Sequence, residues 1–362
     1  MKILLLVPSL ESGGVETGTL DLAREFKKRG HTAIVISNGG KLVNELEKEG
    51  VEHIRLAVHK KSPFSLVLVP RIANIIKSRN IDIVHASSRV PAWLGLFAAR
   101  ASRRPFVTSC HGFYSKHFFS SVMAKGELVM VISEAIKKRM TDAFGVPEEK
   151  IRLVYRGLDL GRYQYSGPER PIRNDSPTVI NIGRLTPLKG QLDFINAMKV
   201  VCKKIPRACA WIIGSAGRDR VRYENTLKEL TLEIGLGKNV KFFGHRNDIP
   251  ELLNESDCLV LSSLVPEGFG RTVIEAAASG VPVCASNTGG IKEIVENGVS
   301  GLLFPPGDIE QMAGAIVRML SDRDLRSSCI RALHAKVEKN FTLQQMASRT
   351  LAVYEEAIRL RC

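Results

Sequence analysis

The feature that most constrains this chain is an alternation of short apolar runs with helical patterns, kept up almost from end to end. Lys2–Val7, Thr32–Ser37, Ile54–Ala57, Ile81–Ala86, Phe106–Cys110, Leu128–Ile132 and Ile151–Tyr155 read as buried strands. Between them lie patterns such as Thr17–Arg29, where Leu20, Ala23 and Phe26 share a face and Lys27 to Arg29 supply cations at the carboxyl end. Continuous apolar strands separated by helices predict an α/β fold, a parallel sheet covered on both faces. The rhythm breaks at 166–177, SGPERPIRNDSP, a loop composition with nothing to bury. It restarts with Thr178–Ile182, Ala210–Gly214, Val240–Phe243, Cys258–Ser262, Pro282–Ala285 and Gly301–Phe304. Two similar halves are therefore expected, 1–165 and 178–340, joined by the 166–177 linker and facing across a cleft. The tail from Asp308 to Cys362 reads as helical throughout, its last part, 341–362, packing back on the first half.

A length of 362 residues agrees with two domains. With 44% hydrophobic and 25% charged residues, the chain is neither disordered nor fibrous. The longest apolar runs, such as Phe64–Val69 and Trp93–Ala99, fall far short of the roughly 20 residues that cross a bilayer. The opening MKILLLVPSL has only five apolar residues before Pro8 and reads as a first buried strand rather than a secretion signal. Seven cysteines without a CxxC pair point to reduced thiols in a cytoplasmic protein, not a disulfide framework. The net charge of +15 is lopsided: residues 1–165 carry 26 Lys/Arg against 15 Asp/Glu. From Arg55 to Lys116 there are 11 basic residues and one acid, Asp82, which implies an anionic partner.

Four stretches carry candidate chemistry. Ser12-Gly13-Gly14-Val15-Glu16 sits between the first strand and first helix, where glycines let backbone amides approach an anion at a helix N-terminus. A plain glycine-rich turn fits it equally, and it lacks the third glycine of the dinucleotide fingerprint. Gly183-Arg184-Leu185-Thr186-Pro187-Leu188-Lys189-Gly190 follows the first strand of the second half and sets two cations at the sheet edge, where open α/β folds bind ligands. Read plainly, these are solvated loop charges; the glycine spacing is wrong for a P-loop. The third stretch runs Pro266-Glu267-Gly268-Phe269-Gly270-Arg271-Thr272-Val273-Ile274-Glu275 into an alanine-rich helix. Its Gly-Phe-Gly turn would aim amides at a phosphate, and Glu275 could accept from a sugar hydroxyl pair. The fourth, Ser109-Cys110-His111-Gly112, ends a strand of the first half and places His111 at the cleft rim, although a lone histidine is often structural.

Together these motifs, in this order, resemble the retaining glycosyltransferases of family 4. Val131-Ile132-Ser133-Glu134, Arg156-Gly157-Leu158-Asp159 and Ser286-Asn287-Thr288-Gly289-Gly290 add to the likeness, which covers essentially the whole chain. The resemblance implies the GT-B architecture: two Rossmann-like domains, an N-terminal acceptor domain and a C-terminal domain for a UDP-, GDP- or ADP-linked sugar donor. It implies that Arg184 and Lys189 hold the diphosphate and neutralise it as it leaves, that Glu267 contacts the transferred sugar, and that Glu275 binds ribose hydroxyls. Amides of Gly268 to Thr272, with Gly13 and Gly14, would complete the cradle, and His111 would contact the donor sugar near the reacting carbon. His245, after Gly244, resembles the base-binding loop. Asn287 to Gly290 would shape the sheet edge. No metal or other cofactor is expected, because the two cations take a metal's place, and the lone Asp322-Arg323-Asp324 falls in the helical tail. Two departures stand out. Arg156 replaces a frequent asparagine, and Arg271 adds a charge after Gly-Phe-Gly.

On the acceptor side, Lys60, Lys61, Arg100, Arg103, Arg104 and Lys116 are interleaved with Phe64, Trp93, Phe97, Phe106, Phe113, Phe118 and Phe119. That mixture suits peripheral contact with an anionic membrane bearing a lipid-linked or lipopolysaccharide-type glycan acceptor, and fits a solvated basic face as well. A nucleotide-sugar epimerase or hydrolase of the same fold is the nearest alternative, and a non-catalytic anion-binding protein the more distant one. Nucleic acid is not expected, since no helix-turn-helix, zinc knuckle or aromatic RNA-binding signature is present.

Overall fold

The computed structural model describes residues 1–11, 13–172, 176–217 and 221–361, so Ser12, linker positions 173–175, residues 218–220 and Cys362 lie outside the described residues. Its contacts divide the chain into two units, Met1–Asp159 with Phe341–Cys362, and Leu160–Asn340.

Unit 1 holds a seven-stranded parallel sheet of β1 (Lys2–Leu6), β2 (Thr32–Ser37), β3 (Glu52–Arg55), β4 (Ile83–Ala86), β5 (Phe106–Cys110), β6 (Leu128–Val131) and β7 (Ile151–Leu153). Their order is β3-β2-β1-β4-β5-β6-β7. Helices α1 (Gly14–Lys28), α2 (Val43–Lys48), α3 (Leu68–Ser78), α4 (Arg89–Ala101) and α5 (Glu134–Phe144) connect the strands. The strand expected at Ile54–Ala57 lies two residues earlier, pairing Ile34 with Glu52 and Ser37 with Arg55. It is the edge strand, with exposed ends and a half-buried middle, so it needs no apolar run.

Unit 2 is built from β8 (Thr178–Ile182), β9 (Cys209–Ile213), β10 (Val240–Gly244), β11 (Cys258–Leu261), β12 (Val283–Ser286) and β13 (Leu302–Phe304), ordered β10-β9-β8-β11-β12-β13 and all parallel. Around it run α6 (Gln191–Lys204), α7 (Val221–Glu233), α8 (Ile249–Asn254), α9 (Arg271–Ala278), α10 (Ile291–Ile294), α11 (Ile309–Ser321) and α12 (Arg323–Asn340). Each sheet is a two-sided α/β core, which is why β1 from Ile3 onward and β11 read as unbroken apolar runs, and β8 and β12 are buried throughout or nearly so.

The tail is three helices rather than one continuous stretch. Asp322 starts α12 by accepting from the Leu325 amide at 3.0 Å, so the Asp-x-Asp sequence is a helix start. Thr342 and Gln345 then form a reciprocal capping box for the last helix, α13 (Leu343–Arg359). This helix joins the core of unit 1 through Leu343, Met346, Leu351 and Tyr354. Tyr354 is fully buried, edge-on to Phe26 at 5.8 Å, and its hydroxyl bonds His85 Nδ1 at 2.7 Å. His85 Nε2 in turn meets Ser109 Oγ at 2.8 Å, and burial drives the imidazole pKa down to about 3. Among the described residues no helix is long and apolar enough to cross a membrane.

Candidate active site

In unit 2 the strand order reverses direction between β8 and β11, since β9 and β10 lie to one side of β8 and β12 and β13 beyond β11. Ligands of open parallel sheets sit at such a switch point, outside the carboxyl ends of the strands. The loops leaving β8 and β11 are knitted together there. Leu264 N donates to Leu188 O at 2.9 Å, Ser262 Oγ to Lys189 O at 2.8 Å, and buried Asn181 Nδ2 to Ser262 Oγ at 3.1 Å. Gly190 makes the close approach possible: its φ is +65°, and a Cβ there would lie 2.0 Å from the Ser262 carbonyl oxygen.

This knit brings two of the expected residues together. Lys189 forms an ion pair with Glu267, whose carboxylate also accepts from Ser263 Oγ. The backbone of Glu267 is gripped from the next loop, where Gly290 N donates to its carbonyl at 2.9 Å. Gly289, at φ +58°, leaves no room for a side chain, since a Cβ would come within 2.2 Å of that same carbonyl oxygen. The loop after β12 thus shapes the site through the backbone. Arg184 is exposed, with no side-chain partner among the described residues.

Gly268, Phe269 and Gly270 carry the chain from Glu267 into α9. Phe269 is buried and Gly270, at φ +110°, is the N-cap. No side-chain hydrogen bond caps this helix, so its first turn, Arg271 and Thr272, keeps the positive end of the dipole open. Glu275 lies in the next turn and is 8% exposed. It accepts from Arg271 Nε at 2.9 Å and from the hydroxyl of Tyr163. Burial, and then the negative charge of Glu275, push the Tyr163 phenol upward, so it stays a donor. His245 is exposed directly after β10. Arg184, Lys189, His245, Glu267 to Thr272 and Glu275 therefore occupy one sheet edge.

Gly13, Gly14 and His111 belong to the corresponding edge of unit 1. Gly13 and Gly14 start α1, but the carboxylate of Glu16 folds over Gly13, with Oε2 2.4 Å from where a Cβ would stand. His111 follows β5, and its Nδ1 is buried without a hydrogen-bond partner among the described residues. Burial, then Arg156, then His85 hold its pKa well below the usual value, so the imidazole is neutral at pH 7. Arg156 itself is 8% exposed; its guanidinium donates to the Gly14 carbonyl and lies where a Cβ of Gly18 would stand.

Sequence reasoning missed Ser263 and Tyr163. Ser263 had a faint signal, four residues before Glu267 in a loop. Tyr163 had none, because its partner is 112 positions away.

The sequence profile of glycosyl transferases group 1 matches residues 167–335, and that of Glycosyltransferase Family 4 matches 12–162. A solved glycosyltransferase from Rickettsia africae superposes with a TM-score of 0.88 at 32% identity, over 99% of this chain and 98% of that one. The chain belongs to glycosyltransferase family 4. HepE of Anabaena, solved with UDP and glucose, matches this glycosyltransferase with a TM-score of 0.87 at 26% identity, over 98% of this chain and all of that one. An uncharacterised glycosyltransferase of Methanocaldococcus jannaschii is 25% identical over 99% of each chain. The enzyme has the GT-B fold of these relatives, with its two Rossmann-like parallel sheets.

Proposed function

We propose that this glycosyltransferase moves a sugar, with retention of anomeric configuration, from a nucleoside diphosphate sugar to a glycan or lipid-linked acceptor of the cell envelope. The observation that carries the reading is the grouping of Arg184, Lys189, Glu267 and the uncapped start of α9 at the switch point of the second sheet. HepE, the relative solved with UDP and UDP-glucose, supports a UDP-linked donor as the first to test.

Departure of a nucleoside diphosphate builds negative charge on the leaving oxygens. Fixed cations and helix-start amides that meet this charge stabilise the transition state more than the ground state. Arg184, exposed and unpaired among the described residues, and Lys189 are assigned to the diphosphate, without a metal ion. Glu267, steered by Ser263 and the Gly289-Gly290 backbone, is assigned to the transferred sugar. Glu275, already seated by Arg271 and Tyr163, takes the ribose hydroxyls, and His245 contacts the base. The leaving phosphate accepts the proton of the acceptor hydroxyl on the same face, so no pair of carboxylates acting as acid and base is needed. On the edge of unit 1, His111, held neutral, is a hydrogen-bonding group for a substrate, and Gly13 and Gly14 at the start of α1 leave the backbone open to close approach.

The test is thermal stabilisation of the purified protein by UDP-, GDP- and ADP-sugars without added divalent metal. A bound donor raises apparent stability by mass action. A selective shift lost in Glu275→Ala is expected; no shift with any donor at millimolar concentration would remove the donor assignment.

A further inference from the structure

One turn of unit 1 is built inside out. The 310 helix Pro63–Val67 precedes α3 and is capped by Ser62, whose hydroxyl accepts from the Phe64 amide at 3.3 Å. Its one buried side chain is polar: Ser65 is 9% exposed and donates to the Lys60 carbonyl at 2.9 Å. The apolar side chains point outward instead, Phe64 at 88%, Val67 at 77% and Leu66 at 48% exposure. A turn that only links β3 to α3 gains nothing by holding its serine in and its phenylalanine out.

The charges around it have one sign. Lys60, Lys61 and Arg71 flank the turn and are exposed. The nearest acids in sequence, Glu52 and Asp82, are engaged elsewhere: Glu52 with Arg79 at 2.8 Å, and Asp82 with the Lys2 amide at 2.7 Å. A second aromatic tip occurs in the same unit. Phe118 is 79% exposed and stacks on Trp93 of α4 at 5.3 Å, and α4 packs against α3.

Protruding apolar tips ringed by cations match the cross-section of an anionic bilayer, with hydrocarbon below and phosphate above. A duplex nucleic acid offers the phosphates but takes up Phe64, Leu66 and Val67 only at the cost of unstacking its bases. A protein partner needs a broad patch, of which one short turn supplies little. We infer that the Lys60–Arg71 segment docks this glycosyltransferase on an anionic membrane, with Phe64, Leu66 and Val67 entering the interface and Lys60, Lys61 and Arg71 meeting lipid phosphates. The inference deepens the proposed function, because a lipid-linked acceptor is met at that surface, and rests on it for that purpose alone.

The experiment is sedimentation of the full chain with phosphatidylglycerol/phosphatidylcholine vesicles and with pure phosphatidylcholine vesicles, at low and high salt and without nucleotide. Binding at least tenfold tighter to the anionic vesicles is expected, weakened by salt. The pair Phe64→Ser and Val67→Ser should reduce it at least tenfold with the melting temperature unchanged. The pair Lys60→Glu and Lys61→Glu, at roughly fivefold per cation removed, should do at least as much. Failure to sediment at low salt overturns the inference. So does binding that the Phe64/Val67 pair leaves intact, or that random duplex DNA competes away equally well in that pair and the parent, which would mark a general polyanion site. Donor-induced thermal stabilisation, measured on the same samples, reports the proposed function separately: it persists when docking alone is wrong and is absent when the donor assignment is wrong.

Discussion

Replacing Glu267 by glutamine should tighten the binding of a bare nucleoside diphosphate while slowing sugar transfer. In the unliganded protein Lys189 is paired with Glu267, with side-chain exposures of 27% and 18%. A diphosphate that recruits Lys189 must compete with that carboxylate. For a pair neither fully exposed nor fully buried the competition is worth about 1 kcal/mol, toward the upper end of the range for surface pairs. Glutamine keeps the size and the hydrogen bond to Ser263 but removes the charge, so affinity for the nucleoside diphosphate should rise about fivefold. Turnover should fall about 10²-fold, the scale for losing one oriented contact in the transition state. Calorimetry with UDP, GDP and ADP measures the first effect, and release of nucleoside diphosphate from the sugar donor measures the second. Weaker binding of every diphosphate together with unchanged turnover would refute both the competition and the role given to Glu267.

Other expectations follow from the same contacts. Lys189→Ala should lower turnover by about 10²- to 10³-fold with little change in melting temperature, since its ion pair with Glu267 is partly solvated; comparison of kinetics and melting checks this. Gly18→Ala should destabilise the protein, because its Cβ would meet the Arg156 guanidinium at 2.2 Å. In an Arg156→Ala background the same change should stabilise by about 0.5–1 kcal/mol, the usual gain of alanine over glycine in a helix, and urea midpoints of the four proteins would expose a missing sign reversal. His85 has its pKa lowered by burial from 6.5 to about 3, so between those values the unfolded chain binds the extra proton. Its stabilising contribution is therefore complete above pH 6.5 and declines as the pH falls, by about 1.4 kcal/mol per unit. A His85→Gln variant should show a flatter fall in urea midpoint from pH 7 to 5, and equal slopes would count against a neutral buried imidazole.

Much of the architecture was legible because both sheets are parallel and their inner strands are buried on both faces, so those strands announce themselves as largely apolar runs. Ile3 to Leu6 and Leu259 to Leu261 need no partner information to be read as strands. Edge strand β3 was misplaced because Glu52 and His53 have solvent on one side and give no such signal. Phe106, grouped in sequence with surface aromatics, is a core residue of β5, whereas Phe64 and Phe118 are on the surface; spacing along the chain does not separate these cases. The loops that carry Lys189 and Glu267 were legible as motifs, but their pairing was not. It depends on β8 lying beside β11, a neighbour relation that local sequence does not encode. The same holds for Arg156 over Gly18, where one unusual residue type was visible and its burial was not.

The return of α13 to the first unit has a consequence for the order in which the molecule is made. Every residue of unit 2 has left the ribosome before Tyr354 emerges, although His85 and Phe26, which Tyr354 covers, were synthesised long before. The second unit can close its core while the first still lacks a wall. A chain cut after Asn340 would therefore damage the half farthest from the cut in sequence: β1 to β7 would lose the helix that seals Leu20, Phe26 and His85, while β8 to β13 would keep every strand they pair with. For this glycosyltransferase, the last twenty or so residues are the final piece of the domain that begins the chain.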